Sequence, residues 1–295
     1  MKREFFLIFL FFSVFSLFSD NADGSGDVMD QYKITSTFGD SRYDHFHTGI
    51  DLAASDKEVR AISNCELIFY NGKKAGSINY GMGDFVIFEN SYDSLRYNYS
   101  HLEEGSFNPE NVYWKRNDRV GIVGNSGHSS GKHLHLEIED IEEKKLLNPI
   151  RFINTKDTIV PKIEDVYFIT KDGEKLSLYS NARIKRGGKL FIKCADRIND
   201  SNYLITPYKI TVIIDGKEKS VLSFDYLRKN ENYYVVSDSN LKFEDIYSNK
   251  EDFDFFLLEF YSLPNLVGVK ITVEDFHGNR AEFKKPIRFL PPEIK

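Results

Sequence analysis

Cysteine and clustered positive charge are both scarce in this chain of 295 residues. The two cysteines, Cys65 and Cys194, fall in different predicted domains, which argues against a disulfide framework and against a cysteine-rich metal site. Lysine and arginine number 39 against 45 acidic residues, the net charge is −6, and no basic run stands out. Because phosphate binding depends on clustered lysine and arginine, we expect no nucleic-acid partner.

The sequence also lacks a hydrophobic run long enough for a transmembrane helix. The apolar stretch Phe5–Phe18 is shorter than the roughly 18 to 20 residues that span a bilayer, and basic residues precede it. We therefore predict a signal peptide over residues 1–19, export to the periplasm or cell envelope, and a flexible lead-in over residues 20–31. An uncleaved N-terminal membrane anchor is the alternative. No cysteine follows the run, so a lipid anchor on cysteine is not supported.

Short strand patterns fill the rest of the chain, and no long helical period is found. The hydrophobic content of 41 % is ample for packed cores. The N-terminal half carries runs of four to eight residues rich in Ile, Val, Phe, Leu or Tyr and bounded by turn residues: Glu66–Tyr70, Asp84–Glu89, Leu95–Leu102, Val120–Val123 and His133–Ile138. Eight or nine similar runs follow Val166 at a spacing of about 8 to 15 residues, which is typical of a β-sandwich.

From these patterns we predict an all-β protein of two domains, residues 32–155 and residues 165–295, joined by a linker at residues 156–164. The second domain is predicted to be an Ig-like β-sandwich with an accessory role. His277, the only histidine of this half, lies in a predicted turn over Asp275–Asn279, and we interpret it as a turn residue. We expect no chemical constellation in this half.

Six of the seven histidines lie between His45 and His135. Two of them belong to the segment Lys132–Glu137, where strand alternation places His133, His135 and Glu137 on one face and leucines on the other. One face would pack on the core, and the other would be free for chemistry. Two histidines alone are as typical of an ordinary half-buried strand as of a metal site, so residues elsewhere in the chain must decide between the two.

His47 and Asp51 add an imidazole and a carboxylate four residues apart. Gly49 and its β-branched neighbours disfavour a helix, and a straight strand would separate the two side chains by about 13 Å, so a bend at Gly49 is needed. Imidazoles with one carboxylate and no thiolate are typical of a catalytic zinc site with an open position. The geometry does not say which of His133 and His135 binds the metal. The other histidine of that pair and His101 are the natural groups to move protons.

Five motifs, taken together, resemble the lysostaphin-type (LytM-like) zinc metallopeptidases, which are cell-wall endopeptidases. The motifs are Phe46–Ala53, Gly81–Ile87, Tyr99–Leu102, the segment from Gly121 to Glu137, and Asn148-Pro149. The resemblance covers about residues 32–152. It implies an antiparallel β-sheet groove and one zinc ion bound by His47, Asp51 and His135 with water as the fourth ligand. It also implies that His101 and His133 orient or deprotonate that water and stabilise the tetrahedral intermediate.

The expected function is therefore that of an exported zinc-dependent endopeptidase. It would hydrolyse peptide bonds in peptidoglycan stem peptides or cross-bridges by attack of zinc-bound water. The first alternative is a non-catalytic or regulatory LytM-like module that activates another cell-wall hydrolase, and the second is a protease of an exported protein. Because no chemical position of the family pattern is missing, we expect an active enzyme. The residues do not indicate which bond is cut, nor the oligomeric state.

Several other features stay open or are set aside. Glycines between Gly121 and Gly131, followed by Lys132, are similar to a phosphate loop, but the spacing is wrong and we expect no nucleotide. Glu137 would hydrogen-bond a metal-binding histidine or serve the strand alone. His45 and His128 lie in loops near the expected site, and a role in substrate contact is left open for both.

Overall fold

A computed structural model describes residues 27–72, 81–180, 183–185, 187–199, 201–237, 239–247, 252–260 and 266–290. The predicted signal peptide lies outside these residues. Within the described segments, no helix is both long enough and apolar enough to cross a membrane.

The N-terminal part consists of short strands and one short helix. The strands are β1 Lys33–Ser36, β2 Ile50–Ala53, β3 Glu58–Arg60, β4 Cys65–Asn71, β5 Asp84–Asn90, β6 Leu95–Leu102, β7 Tyr113–Trp114, β8 Arg119–Ile122, β9 His133–Asp140 and β10 Lys145–Leu147. A 3-10 helix, Pro149–Phe152, follows, and Asn148 caps it by accepting a hydrogen bond from the Ile150 amide. The five strands predicted from the sequence are present, with shifts of a few residues at their ends.

Strand β9 lies at the centre of the main antiparallel sheet and pairs with β6, β10 and β2. Its apolar residues Leu134, Leu136 and Ile138 are fully buried, while His133, His135 and Glu137 are partly exposed. This confirms the alternation read from the sequence. The apolar face of β9 packs on the core, and its histidine face is left accessible.

The C-terminal part forms two further sheets. Its elements are β11 Lys162–Thr170, β12 Lys175–Ser177, β13 Arg183–Lys185, β14 Gly188–Ala195, β15 Lys209–Ile214, β16 Lys217–Ser223, β17 Tyr226–Asn230, β18 Tyr233–Val236, α1 Phe243–Ile246, β19 Asp254–Phe260, β20 Leu266–Glu274 and β21 Arg280–Leu290. One sheet has the order β12-β11-β14-β19 and the other β13-β21-β20-β15-β16. Residues of both sheets share one buried core. The Ig-like arrangement stays a prediction, and the parallel β13–β21 pair departs from a purely antiparallel sandwich.

Two strands of the C-terminal part belong to the sheet of the N-terminal part. Strand β17 pairs with β10, with Leu227 opposite Leu146, and β18 adds beyond it. The main sheet therefore runs β18-β17-β10-β9-β6-β5-β4-β7. The backbone groups of β10 that would form an exposed edge are paired inside the same chain. The predicted linker at residues 156–164 therefore separates two parts of the chain that the backbone hydrogen bonds between β10 and β17 join in one sheet.

Two segments predicted to be irregular contribute to the packed structure. Val28 and Met29, inside the predicted lead-in, are buried, and the Val28 carbonyl accepts a hydrogen bond from the Arg60 amide at 2.8 Å. Strand β11 begins at Lys162, so the end of the predicted linker is strand. Both segments were predicted from polar composition and turn residues, which do not reveal contacts with distant parts of the chain.

A second contact between the two parts lies at Gly39 and Phe46. The Phe46 ring packs edge-on against Phe224 and Phe243, with centroids 6.4 and 5.3 Å away. Gly39 has a φ of +89°, and a Cβ there would lie 2.2 Å from the Phe224 ring. Glycine is required for both reasons: the backbone is left-handed, and the neighbouring ring leaves no space for a side chain.

We predict that Gly39→Ala destabilises the protein more than Gly105→Ala does. Both glycines have positive φ, but a Cβ at Gly105 would meet nothing within 4 Å. The left-handed backbone costs about 1 to 2 kcal/mol at either site, and overpacking adds about 1 to 3 kcal/mol at Gly39 alone. Urea unfolding of the two variants measures the difference. Equal losses would show that Phe224 does not hold Gly39 closely.

Candidate active site

The pairing of β2 with β9 brings the first candidate ligands together. In this register Asp51 lies opposite His135, and Ala53 lies opposite His133. His47 reaches the same point from the segment just before β2. Gly49 allows this approach, because a Cβ there would lie 2.5 Å from the Leu136 carbonyl oxygen and 2.7 Å from Cε1 of His135. The glycine expected to provide a bend is required for close contact with β9.

Three ligand atoms meet at one point. His47 Nε2 lies 3.1 Å from Asp51 Oδ1 and 3.0 Å from His135 Nδ1, and Asp51 Oδ1 lies 2.8 Å from His135 Nδ1. Ligands at about 2.0 Å from a tetrahedral zinc ion are about 3.3 Å apart, so the spacing of these atoms fits one such ion. Two imidazole nitrogens and one carboxylate oxygen are the donor set of a catalytic zinc site. The residues present therefore fit zinc.

Hydrogen bonds to the other ring nitrogens favour metal binding. His47 Nδ1 donates to the Thr37 carbonyl at 2.8 Å, which leaves Nε2 free of a proton. His135 Nε2 lies 3.4 Å from Glu137 Oε1, which leaves Nδ1 as the ligand atom. Carbonyl and carboxylate partners of this kind fix the ring orientation and tautomer of metal-binding histidines.

Glu137 is itself held on three sides. It accepts hydrogen bonds from the Thr48 hydroxyl and, at 2.9 Å, from Asn98 Nδ2, in addition to its contact with His135. Burial alone would raise the pKa of Glu137, but the hydrogen bond and charge of His135, with help from Thr48 and Asn98, lower it to about 2. Glu137 is therefore ionised at neutral pH and carries negative charge next to the site.

Arg42 contacts the free oxygen of Asp51. Its Nη2 lies 2.7 Å from Asp51 Oδ2, while Oδ1 faces the two histidines. Burial would raise the pKa of Asp51, but the close contacts of its carboxylate with His135 and His47 lower the pKa well below its usual range. The carboxylate is thereby fixed as an ionised ligand that offers one oxygen.

His101 and His133 form a second pair beside the three ligand atoms. Their ring centroids are 4.8 Å apart, and the His101 ring lies 6.1 Å from that of His135. His101 Nδ1 donates to the Ser126 carbonyl at 2.9 Å, and His133 Nδ1 donates to the Gly131 carbonyl at 2.8 Å. In both rings Nδ1 is thus engaged by the backbone, and Nε2 is the nitrogen left for proton transfer.

The environment of His101 is suited to proton transfer. Burial, with smaller contributions from His133 and His135, lowers the pKa of His101 to about 4, so its imidazole is neutral at pH 7. Its backbone has a φ of +63°, a left-handed conformation that is rare and costly for a non-glycine residue. Such strain is typical of functional sites, where the surrounding structure holds a residue in an unfavourable conformation.

The C-terminal part supports the segment that carries His47. The Thr206 amide donates to Asp40 Oδ1 at 2.7 Å, and Asp40 Oδ2 accepts from the Thr37 amide at 2.9 Å. The Asp40 carbonyl accepts from the His47 amide at 2.7 Å, and the Tyr247 hydroxyl donates to the Gly39 carbonyl at 2.8 Å. These contacts fix both ends of the loop that leads into the first ligand.

The three candidate ligands line a groove of about 640 Å³ together with Arg42, His101, His133 and Glu137. The loop histidines His45 and His128 line the groove as well, and Nδ1 of His45 lies 2.6 Å from Oδ1 of Asp44. Tyr203, from the C-terminal part, lines the same groove with half of its surface exposed. Residues of four of the five sequence motifs therefore come together at one surface, to which both parts of the chain contribute.

Sequence reasoning missed Arg42, Asn98, Asp40 and Tyr203. Arg42 and Asp40 lie close to His47 in sequence, and an arginine near a candidate carboxylate ligand could have drawn attention to it. Asn98 shares a strand face with Ser100, and it reaches Glu137 through the β6–β9 register, which pairs the two directly. Nothing in the local pattern around Tyr203 predicts its position.

Residues 45–149 match the model of peptidase family M23. This part of the chain is an M23 peptidase domain. A second family model matches residues 160–289. M23 is a family of peptidoglycan endopeptidases, and its members bind zinc.

Among curated proteins, the DD-carboxypeptidase/endopeptidase Mpg of Neisseria meningitidis serogroup B is 33 % identical to this chain over 110 residues. The aligned region is 36 % of this chain and 24 % of that protein, and the protein of the same name from Neisseria gonorrhoeae matches equally. The chain therefore spans about a quarter (24 %) of the length of these relatives.

Solved structures give weaker likenesses. The catalytic domain of lysostaphin from Staphylococcus simulans is 22 % identical and matches 41 % of this chain and 91 % of that chain with a TM-score of 0.33. A zinc-containing peptidase from Vibrio cholerae is 22 % identical, over 38 % of this chain and 35 % of that one, with a TM-score of 0.33. The M23 assignment rests on the family match.

We predict that Glu137→Gln weakens zinc binding about 10- to 100-fold and leaves the fold intact, because the charge that orients His135 is lost. Competition with a chromogenic chelator measures the affinity. Glu139→Gln is the matched control, since Glu139 lies two residues further along β9 and pairs with Arg96 at 3.0 Å. An equal loss in both variants would mean that Glu137 acts only through the stability of the strand.

Proposed function

We propose that this protein is an exported zinc endopeptidase that hydrolyses peptide bonds in the stem peptides or cross-bridges of peptidoglycan. The observation that carries the proposal is the meeting of His47 Nε2, Asp51 Oδ1 and His135 Nδ1 within 3.1 Å of one another, beside the His101 and His133 pair. This is a metal donor set with proton-transferring groups next to it, in a domain of an endopeptidase family.

In this proposal His47, Asp51 and His135 hold the single zinc ion. When bound, zinc polarises the carbonyl of the scissile bond and lowers the pKa of water toward about 7. The chain supplies the geometry: Thr37 and Glu137 orient the two imidazoles, and Arg42 holds the second oxygen of Asp51. The ligand side chains are thereby placed before the metal binds, which lowers the cost of ordering them.

His101 and His133 move protons and stabilise charge in the proposed reaction. Each ring has its Nδ1 engaged by a backbone carbonyl, and both side chains line the groove. A neutral imidazole accepts the proton of the attacking water and returns it to the leaving amine. As an imidazolium it also stabilises the negative charge that develops on the oxygen of the substrate carbonyl.

The substrate assignment is supported by the family and by the shape of the site. Membership of the M23 family suggests that the substrates are peptidoglycan peptides. The open groove of about 640 Å³ would admit an extended peptide. Tyr203 at its wall gives the C-terminal part a place to contact that peptide. Export is supported by the apolar N-terminal run, and the periplasm or cell envelope is where peptidoglycan is found.

A regulatory module that activates another cell-wall hydrolase is the second candidate function. It would keep the groove as a binding surface and would not need a proton acceptor. The lowered pKa and the strained backbone of His101 favour the enzyme, because a binding surface requires neither.

We predict that the zinc-loaded protein releases new amino groups from purified peptidoglycan. His101→Ala and His133→Ala should each lower the rate at least 100-fold while retaining one zinc per chain, since loss of general acid–base catalysis costs about 10² to 10⁴. His135→Ala should lose both zinc and activity. Zinc content by mass spectrometry and amine release by a chromogenic reagent are the two measurements.

These variants also distinguish the alternatives. Full function of the His101→Ala, His133→Ala double variant in activating another hydrolase would favour the regulatory module. A zinc-loaded protein that releases no amino groups from any wall preparation or glycine-rich peptide would contradict the enzyme proposal. Mass spectrometry of products from defined muropeptides would identify the bond that is cut.

A further inference from the structure

A second cluster of ionisable side chains lies outside the candidate active site, where the two parts of the chain meet. Asp157, Asp275 and His277 each present a ligand atom within 4.8 Å of the others. Asp196 lines the same small cavity. Asp157 comes from the segment before β11, Asp196 directly follows β14, and the other two lie in the turn between β20 and β21. The sequence patterns of the C-terminal half do not indicate this cluster.

All three carboxylates are deeply buried, and two of them are incompletely paired; Asp275 accepts from the amide and the side chain of Asn279 at 2.8 and 2.6 Å. The relative exposures of Asp157, Asp196 and Asp275 are 8 %, 4 % and 2 %. Within the described part of the chain, neither Oδ2 of Asp157 nor Oδ1 of Asp196 has a hydrogen-bond partner, although both atoms are inaccessible to solvent. A buried carboxylate oxygen without a partner is strongly unfavourable. No lysine or arginine is among the described residues that line the cavity.

The contacts that the cluster does make leave ligand atoms free. Asp157 Oδ1 accepts from the amides of Ile159 and Asn199 at 3.0 and 3.1 Å, so only Oδ2 is left without a donor. His277 Nε2 donates to the Thr155 carbonyl at 3.1 Å, so Nδ1 is the nitrogen left for a ligand. An imidazole oriented by a backbone carbonyl is the usual arrangement of a metal-binding histidine.

Three acidic side chains therefore meet in one cavity without a lysine or arginine side chain among the described residues that line it. A bound cation would neutralise their charge.

The size and chemistry of the cavity indicate the class of cation. Its volume is about 20 Å³, which accommodates one water molecule or one bare ion but no hydration shell. Carboxylate oxygens favour Ca²⁺, Mg²⁺ and Mn²⁺, and an imidazole among them is tolerated best by Mn²⁺. We propose that Asp157, Asp275 and His277 bind one oxygen-preferring divalent cation, Ca²⁺ or Mn²⁺, beside the unpaired carboxylate oxygen of Asp196, and that this cation stabilises the junction between the two parts of the chain.

This site would be structural, and it lies close to the support of His47. Asp196 exchanges two backbone hydrogen bonds with Ile205, at 2.9 and 3.0 Å, and the next residue, Thr206, donates to Asp40. Thr37, whose carbonyl accepts from His47, also lines the cavity. A cation there would fix three segments of the C-terminal part behind the ligand loop.

The test uses the full chain loaded with zinc and passed over chelating resin until zinc is the only metal that remains. Ca²⁺ and Mn²⁺ are then added separately, and binding is followed by calorimetry and thermal unfolding. We expect one ion per chain and a rise in Tm of about 5 to 10 °C at 100-fold excess over the dissociation constant. Asp196→Asn should weaken binding at least 10-fold and abolish the shift.

Four comparisons make the result decisive. Asp172→Asn removes an exposed carboxylate of the same part and should leave the shift intact. His135→Ala should also keep it, because the proposed cation does not occupy the zinc site. His277→Gln serves as the second variant if Asp196→Asn does not fold. Without added cation, Asp196→Asn should be more stable than the natural chain, since it removes a buried charge.

The proposal is overturned if neither ion binds or raises Tm, or if the shift survives in both Asp196→Asn and His277→Gln. A shift that disappears in His135→Ala would also overturn it, because the ion would then be in the candidate active site. Because neither readout depends on hydrolysis, this result is independent of the proposed peptidase activity.

Discussion

The antiparallel pairing of β2 with β9 is the contact on which the candidate site depends. It sets Asp51 opposite His135, and the absence of a side chain at Gly49 lets the segment with His47 approach the same point. Because side chains alternate along a strand, a shift of one residue in this register would turn His135 into the core and Leu136 into the groove. The fully buried leucines on the other face of β9 oppose such a shift, so core packing and site geometry are enforced by the same residues.

Behind the ligands lies a layer of hydrogen bonds that the chain draws from distant segments. Thr37, Asp40 and Thr206 hold the loop before His47, while Thr48 and Asn98 hold Glu137 beside His135. Each ligand therefore has its orientation decided by a residue that does not touch the metal position. The C-terminal part belongs to this layer through Thr206 and Tyr247, and it is more than an appended module.

Much of the fold and the site could be predicted because both depend on local patterns. Alternation in His133–Ile138 gives the strand and its exposed face, and the combined motifs around His47, His101 and His135 indicate the family. The contributions of Val28, β17 and Tyr203 could not be predicted, because each depends on contacts with residues far away in the sequence. The polar composition near Asp157 indicates a linker equally well whether its carboxylate is exposed or buried in a cluster. Burial of a single polar side chain leaves no periodic signal.

The strand pair β17–β18 has a consequence for how the chain reaches its folded state. Lys145 on β10 pairs with Arg228 on β17, so this edge of the peptidase sheet is completed by residues made much later during synthesis. Contacts between residues so far apart form late, because closing a long loop costs entropy before any contact is gained. Until then β10 presents unpaired backbone groups, which are open to pairing with other chains. Completion of this sheet edge, and with it protection from self-association, is therefore tied to arrival of the C-terminal part.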